Sequence, residues 1–136
     1  MNMRRKLCWI GNGLLCLLLL LLASCGSQSG KVLLTRADQG KTVVAHVGDQ
    51  IVVQLDENPS TGYQWSIVQT DNQVLELQHS TYTPTPSGLV GSGGTRLFTF
   101  VAKKPGTVHL QLKLWRSFEG DASISDRYSV MLQIQR

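Results

Sequence analysis

Val108, Leu110, Leu112 and Leu114 alternate with His109, Gln111 and Lys113, and Tyr128, Val130, Leu132 and Ile134 alternate with Ser129, Met131 and Gln133. A period of two collects apolar side chains on one face of an extended strand, whereas an amphipathic helix needs a period near 3.6. Similar runs occupy 42–47, 51–55, 63–69, 74–78 and 96–102, each bounded by Gly, Pro, Asn or Asp. No window supports a helix of useful length. With turn signals at Gly48-Asp49, Asp71-Asn72 and Pro105-Gly106, about seven short strands in roughly 100 residues predict an all-β chain. The expected fold is an immunoglobulin-like antiparallel β-sandwich.

The first residues have a different character. Arg4, Arg5 and Lys6 precede an apolar stretch that ends in an unbroken leucine run over 17–22 and then Ala23-Ser24-Cys25. A membrane span needs about 20 apolar residues, and the stretch over 7–23 is shorter and interrupted by Gly11, Asn12 and Gly13. Positive, apolar and small-residue regions in that order mark a secretory leader, and the ending resembles the lipobox of a bacterial lipoprotein signal peptide over 1–24. The resemblance implies that Cys25 becomes the first mature residue, with a diacylglyceryl group on its sulfur and an acyl chain such as palmitate on its amine. Residues 25–30 would then be the lipidated cysteine and a short tether, and 31–136 the folded domain. Gly26 follows the cysteine rather than an aspartate, which is similar to the pattern of lipoproteins sent on to the outer membrane. The expected location is the bacterial cell envelope, at the periplasmic or surface face of the outer membrane rather than at the inner membrane.

Removing the leader alters the composition that matters. The chain holds 13 Lys and Arg against 9 Asp and Glu; without its three leader cations, 10 remain and the net charge falls to +1. No patch rich in Arg and aromatics is left, so nucleic acid is not an expected partner. Cys8 and Cys16 leave with the leader and Cys25 carries lipid, which leaves neither a disulfide nor a nucleophilic thiol. Taking 24 leader residues from 136 leaves 112, enough for one domain with a modest core.

Three connections are expected to be longer or stiffer than ordinary turns. In Asn58-Pro59-Ser60-Thr61-Gly62-Tyr63, Pro59 fixes its own φ and Gly62 permits a positive one. Taken alone, this is either an ordinary strand connection ending in a core tyrosine or a rigid functional loop. The second connection, over 80–94, contains Pro84 and Pro86 and ends in Gly91-Ser92-Gly93-Gly94; the third, over 116–126, begins Arg116-Ser117-Phe118. Connections beyond about 12 residues are usually functional or disordered.

The NPSTGY loop, then GSGGT over 91–95, then Arg116-Ser117-Phe118 at a strand end, resembles the chagasin family of cysteine-peptidase inhibitors. The resemblance covers about 43–134 and departs from the family pattern at Ser60, which replaces a threonine, and at Ser117, which replaces a proline and predicts a looser third loop. It implies a reversible inhibitor of papain-like, cathepsin L-like cysteine peptidases, acting as a monomer without cofactor or metal. Its three loops would form a wedge in the substrate cleft. Asn58, Pro59, Ser60, Thr61, Gly62 and Tyr63 would form the central element, with Ser60 and Thr61 over the catalytic cysteine and histidine. Gly91, Ser92, Gly93 and Gly94 would pair with enzyme main chain, Phe118 would pack on an aromatic wall, and Arg116 would fix the loop or meet enzyme carboxylates. The alternative is a lipid-anchored immunoglobulin-like adhesin or envelope binding module.

Catalysis is not expected. His46, His79 and His109 fall in separate strands without metal-ligand spacing, and no GxSxG elbow accompanies the serines. Asp56 and Glu57 are adjacent and point to opposite faces of an extended strand, so they do not make an acid and base pair.

Overall fold

The computed structural model describes residues 28–87 and 89–136; the expected leader over 1–24 and Cys25 lie outside the described residues. Eight strands run in the order β1 (Lys31–Leu34), β2 (Thr42–His46), β3 (Gln50–Glu57), β4 (Gln64–Gln69), β5 (Leu75–Pro84), β6 (Gly94–Ala102), β7 (Gly106–Trp115) and β8 (Asp126–Gln135). They form two four-stranded sheets, one ordered β1-β3-β6-β5 and the other β2-β8-β7-β4. The helical elements among the described residues are three single 3-10 turns, at Arg36–Asp38, Pro59–Thr61 and Asp121–Ser123.

The alternating stretches become the inner faces of this sandwich. Val108, Leu110 and Leu112 of β7 and Tyr128, Val130, Leu132 and Ile134 of β8 are buried against Ile51, Val53 and Leu55 of β3 and Phe98 and Phe100 of β6. Each such side chain taken out of water contributes about 1.5–3 kcal/mol, and this burial holds the two sheets face to face.

The expected all-β sandwich is borne out, with two refinements. There is an eighth strand, β1, which pairs with β3 from Lys31↔Gln50 to Leu34↔Val53. That pairing is parallel, and so is the pairing of β2 with β8; the remaining ladders are antiparallel. The cause is the path of the chain. It ascends one sheet as β1, crosses through Arg36–Asp38 to descend the other as β2, and returns to the first as β3. Two ascents in one sheet must run parallel.

This path gives the sandwich two poles. At one, Asp49 accepts a hydrogen bond from the Gly30 N–H (2.8 Å) and another from the His46 N–H (2.8 Å). Those backbone donors hold its carboxyl below the usual carboxylate range. The chain therefore enters the domain beside the β2–β3 turn. The β3–β4, β5–β6 and β7–β8 connections all lie at the opposite pole.

Candidate functional site

The β3–β4 connection crosses from one sheet to the other, and its sequence makes it a closed turn. Pro59 opens a single 3-10 turn, Thr61 N–H donates to the Asn58 carbonyl (3.1 Å) and Gly62 N–H to the Pro59 carbonyl (2.9 Å). Gly62 ends it at φ +83°, a left-handed conformation that side-chain-bearing residues resist. The Thr61 hydroxyl donates to the Asn58 carbonyl (2.7 Å) and the Ser60 hydroxyl to Asn58 Oδ1 (2.6 Å). Ser60 and Thr61 remain exposed at the tip. Tyr63 is half-buried and does not enter the core, contrary to the plainer expectation for it.

The second connection is shorter than expected, because β5 extends to Pro84 along β6. Thr85 N–H donates to the Gly93 carbonyl (3.0 Å) and closes the loop at its base. Gly91, Ser92 and Gly93 lie in this loop, whereas Gly94 is the first residue of β6, paired with Glu57 on one side and Pro84 on the other. A Cβ at Gly94 would overlap the Thr83 carbonyl oxygen, so glycine here permits close strand approach rather than loop freedom.

The third connection contains its own closure in place of the missing proline. Glu119 N–H donates to the Arg116 carbonyl (3.0 Å), Arg116 N–H to the Ser123 hydroxyl (3.0 Å), and that hydroxyl to the Gly120 carbonyl (2.6 Å). Below the loop, Lys113 Nζ is 2.6 Å from Asp121 and 3.4 Å from the Trp115 ring centroid. Its hydrogen bond, and after that its charge, holds the Asp121 carboxyl below the ordinary range.

Two contacts join the three loops. Asn58 Nδ2 donates to the Gly91 carbonyl (2.8 Å), which ties the first loop to the second. Arg116 Nε donates to the Thr61 carbonyl (3.0 Å) while its guanidinium lies 4.4 Å from the Tyr63 ring centroid, which ties the third to the first. Arg116 also pairs with Glu119 (3.1 Å). Phe118 leaves 76 % of its surface exposed, and two of its ring carbons stand 3.3 Å from where a Gly62 Cβ would be.

Asn58, Pro59, Ser60, Thr61, Gly62, Gly91, Ser92, Gly93, Arg116 and Phe118 thus share one edge, with Tyr63 behind it. Leu89 and Val90 stand on the same edge, 74 % and 104 % exposed; two adjacent apolar residues amid Pro, Ser and Gly were the signal for them in the sequence. Glu57 and Arg96, 39 positions apart, form an ion pair beneath the first two loops, with Glu57 buried and Arg96 partly exposed. Among the described residues no group of three or more His, Cys, Asp or Glu could hold a metal ion.

The model of the chagasin family peptidase inhibitor I42 matches residues 44–132. Chagasin of Trypanosoma cruzi is 32 % identical over 103 residues, covering 73 % of this chain and 94 % of that protein. Amoebiasin-2 of Entamoeba histolytica is 35 % identical over 88 residues, covering 64 % of this chain and 72 % of that protein. A crystal structure of a cysteine protease inhibitor from Entamoeba histolytica superposes with a TM-score of 0.72 at 28 % identity, covering 81 % of this chain and all of that one. These relatives are inhibitors and not enzymes, and the solved one shares the fold found here. The chain belongs to the chagasin family of cysteine protease inhibitors.

Proposed function

We propose that the protein reversibly inhibits papain-like, cathepsin L-like cysteine peptidases by seating its three-loop edge in their active-site cleft. The observation that carries this reading is the pair of ties, Asn58 to Gly91 and Arg116 to Thr61, which hold three loops as one edge. A flexible peptide loses conformational freedom when it binds, whereas this edge has lost it on folding, so more of the contact energy appears as affinity. Ser60 and Thr61, small and exposed, let the backbone approach a narrow cleft over the catalytic cysteine and histidine. Gly91 to Gly93 offer main chain to the enzyme's main chain, and exposed Phe118 packs on an aromatic wall. Nanomolar affinity, about −12 kcal/mol, is within reach of an interface of about 1,600 Å².

The same reading places lipid on Cys25 and the domain at the envelope, in the outer membrane. The tie between Gly30 and Asp49 supports it, because the chain preceding the domain then leaves from the pole opposite the loops. The loops would face away from the membrane.

Papain mixed with residues 26–136 tests the inhibitory role through peptide hydrolysis. Inhibition is expected below micromolar protein, and full activity at micromolar protein favours an adhesin or envelope binding module. Radiolabelled palmitate, incorporated by the full chain and lost in Cys25→Ser, tests the anchor.

A further inference from the structure

Glu57 ends β3 on its inward face with its side chain fully buried, and a carboxylate there must be matched by donors. Two sources supply them. Arg96 of β6 offers a fork, with Nη2 at 2.6 Å and Nε at 3.1 Å from Oε1. From the other sheet, the Trp65 N–H of β4 donates to Oε2 at 2.7 Å. The Trp65 indole adds a second crossing, donating from Nε1 to the Asp56 carbonyl at 2.8 Å.

These positions give the carboxylate leverage over the loops. Glu57 immediately precedes Asn58, and Trp65 lies two residues beyond Tyr63, so the hydrogen bond between them closes the base of the first loop. Arg96 lies two residues past Gly94 at the end of the second loop, where its guanidinium also faces the Tyr82 ring at 5.6 Å. One buried carboxylate thus binds the strand leaving the second loop and both strands flanking the first.

We infer that Glu57, gripped by Arg96, is a positioning residue that holds the first two loops in register and thereby sets how long the protein stays on its target. The part concerning the target rests on the inhibitory reading above. Replacing a buried ion pair by apolar side chains commonly leaves a fold stable, so general stability and loop positioning can be separated.

The test uses residues 26–136, which contain every strand of the sandwich, as wild type, Glu57→Gln, and Glu57→Met combined with Arg96→Met. In Glu57→Gln the amide can accept from Trp65 only by turning its NH2 toward the guanidinium. Amide exchange is followed at Trp65, at Gly62 in the first loop, at Thr85 at the base of the second, and at Val47 and Gly48 at the far pole. Exchange at Gly62 and Thr85 rises about tenfold or more in both variants, the far pole keeps its wild-type rates, and dissociation from papain quickens by about the same factor. Acceleration confined to Trp65, equal acceleration at both poles, or wild-type loop rates in the double variant would each overturn the assignment. A wild type that leaves papain active defeats the inhibitory reading instead, and the exchange pattern alone then decides whether Glu57 positions the loops.

Discussion

Arg116 Nε donates to the carbonyl of Thr61 at 3.0 Å, so a side chain from the third loop fixes the backbone at the tip of the first. Its guanidinium covers the Tyr63 ring in the same pose. A hydrogen bond of about 0.5–1.5 kcal/mol and a cation–π contact of about 0.5–1 kcal/mol are lost together in Arg116→Ala. The inhibition constant for papain should rise about tenfold. Arg116→Lys should behave like the alanine variant, because a point charge on a flexible stem reproduces neither the directed Nε donor nor the planar stacking. Restoration of inhibition by lysine would reduce Arg116 to its charge.

Phe118 is the most exposed aromatic on the edge. Phe118→Ala should change folding stability by no more than about 0.5 kcal/mol, as expected of an exposed position. It should weaken inhibition by about 2 kcal/mol or more, as loss of an aromatic anchor does. Thermal melts and inhibition constants measured side by side check this, and an unchanged constant removes Phe118 from the contact surface.

Gly62→Val asks a β-branched residue to hold φ +83° with its Cβ 3.3 Å from the Phe118 ring. The left-handed conformation costs about 1–2 kcal/mol. The added methyls also displace Phe118, so inhibition should fall by more than the loss of stability. Circular dichroism melts compared with inhibition constants decide the matter; equal losses would make Gly62 a folding residue only.

Tyr128 is wholly buried, and its hydroxyl has no hydrogen-bond partner among the described residues. Burial pushes its pKa up to about 12, with the nearby Asp38 charge acting in the same direction. The folded state therefore keeps a proton that the unfolded chain releases near pH 10. The associated stability is intact below that pH and is lost as the pH rises toward 12, to a total of about 3 kcal/mol. Tyr128→Phe should match or exceed wild-type stability at pH 7 and show a shallower decline above pH 10 in urea titrations.

The long ladders were legible because β7 and β8 each alternate over their whole length, and one residue's slip would turn every apolar side chain outward. β1 was not. Lys31–Leu34 is too short for a period to declare itself, and its pairing with β3 depends on the chain crossing between sheets. The ends of β5 and β6 were underestimated for a related reason: Thr83, Pro84, Gly94 and Thr95 read as loop residues, yet they pair with one another. Within the candidate site, the loop residues announced themselves through turn chemistry. Glu57 and Arg96 did not, since a contact across 39 positions leaves no local pattern, and an acidic residue before a loop ordinarily signals solvent.

The tie between Gly30 and Asp49 also decides how the domain bears load. A pull applied ahead of Gly30, against a target gripped at the far pole, runs along β1 and stresses its four pairs with β3 in shear. Shear engages all four at once, where peeling would open them singly. Under such a load the short parallel strand at the sheet edge would act as a lap joint between the chain ahead of Gly30 and the loops at the other pole.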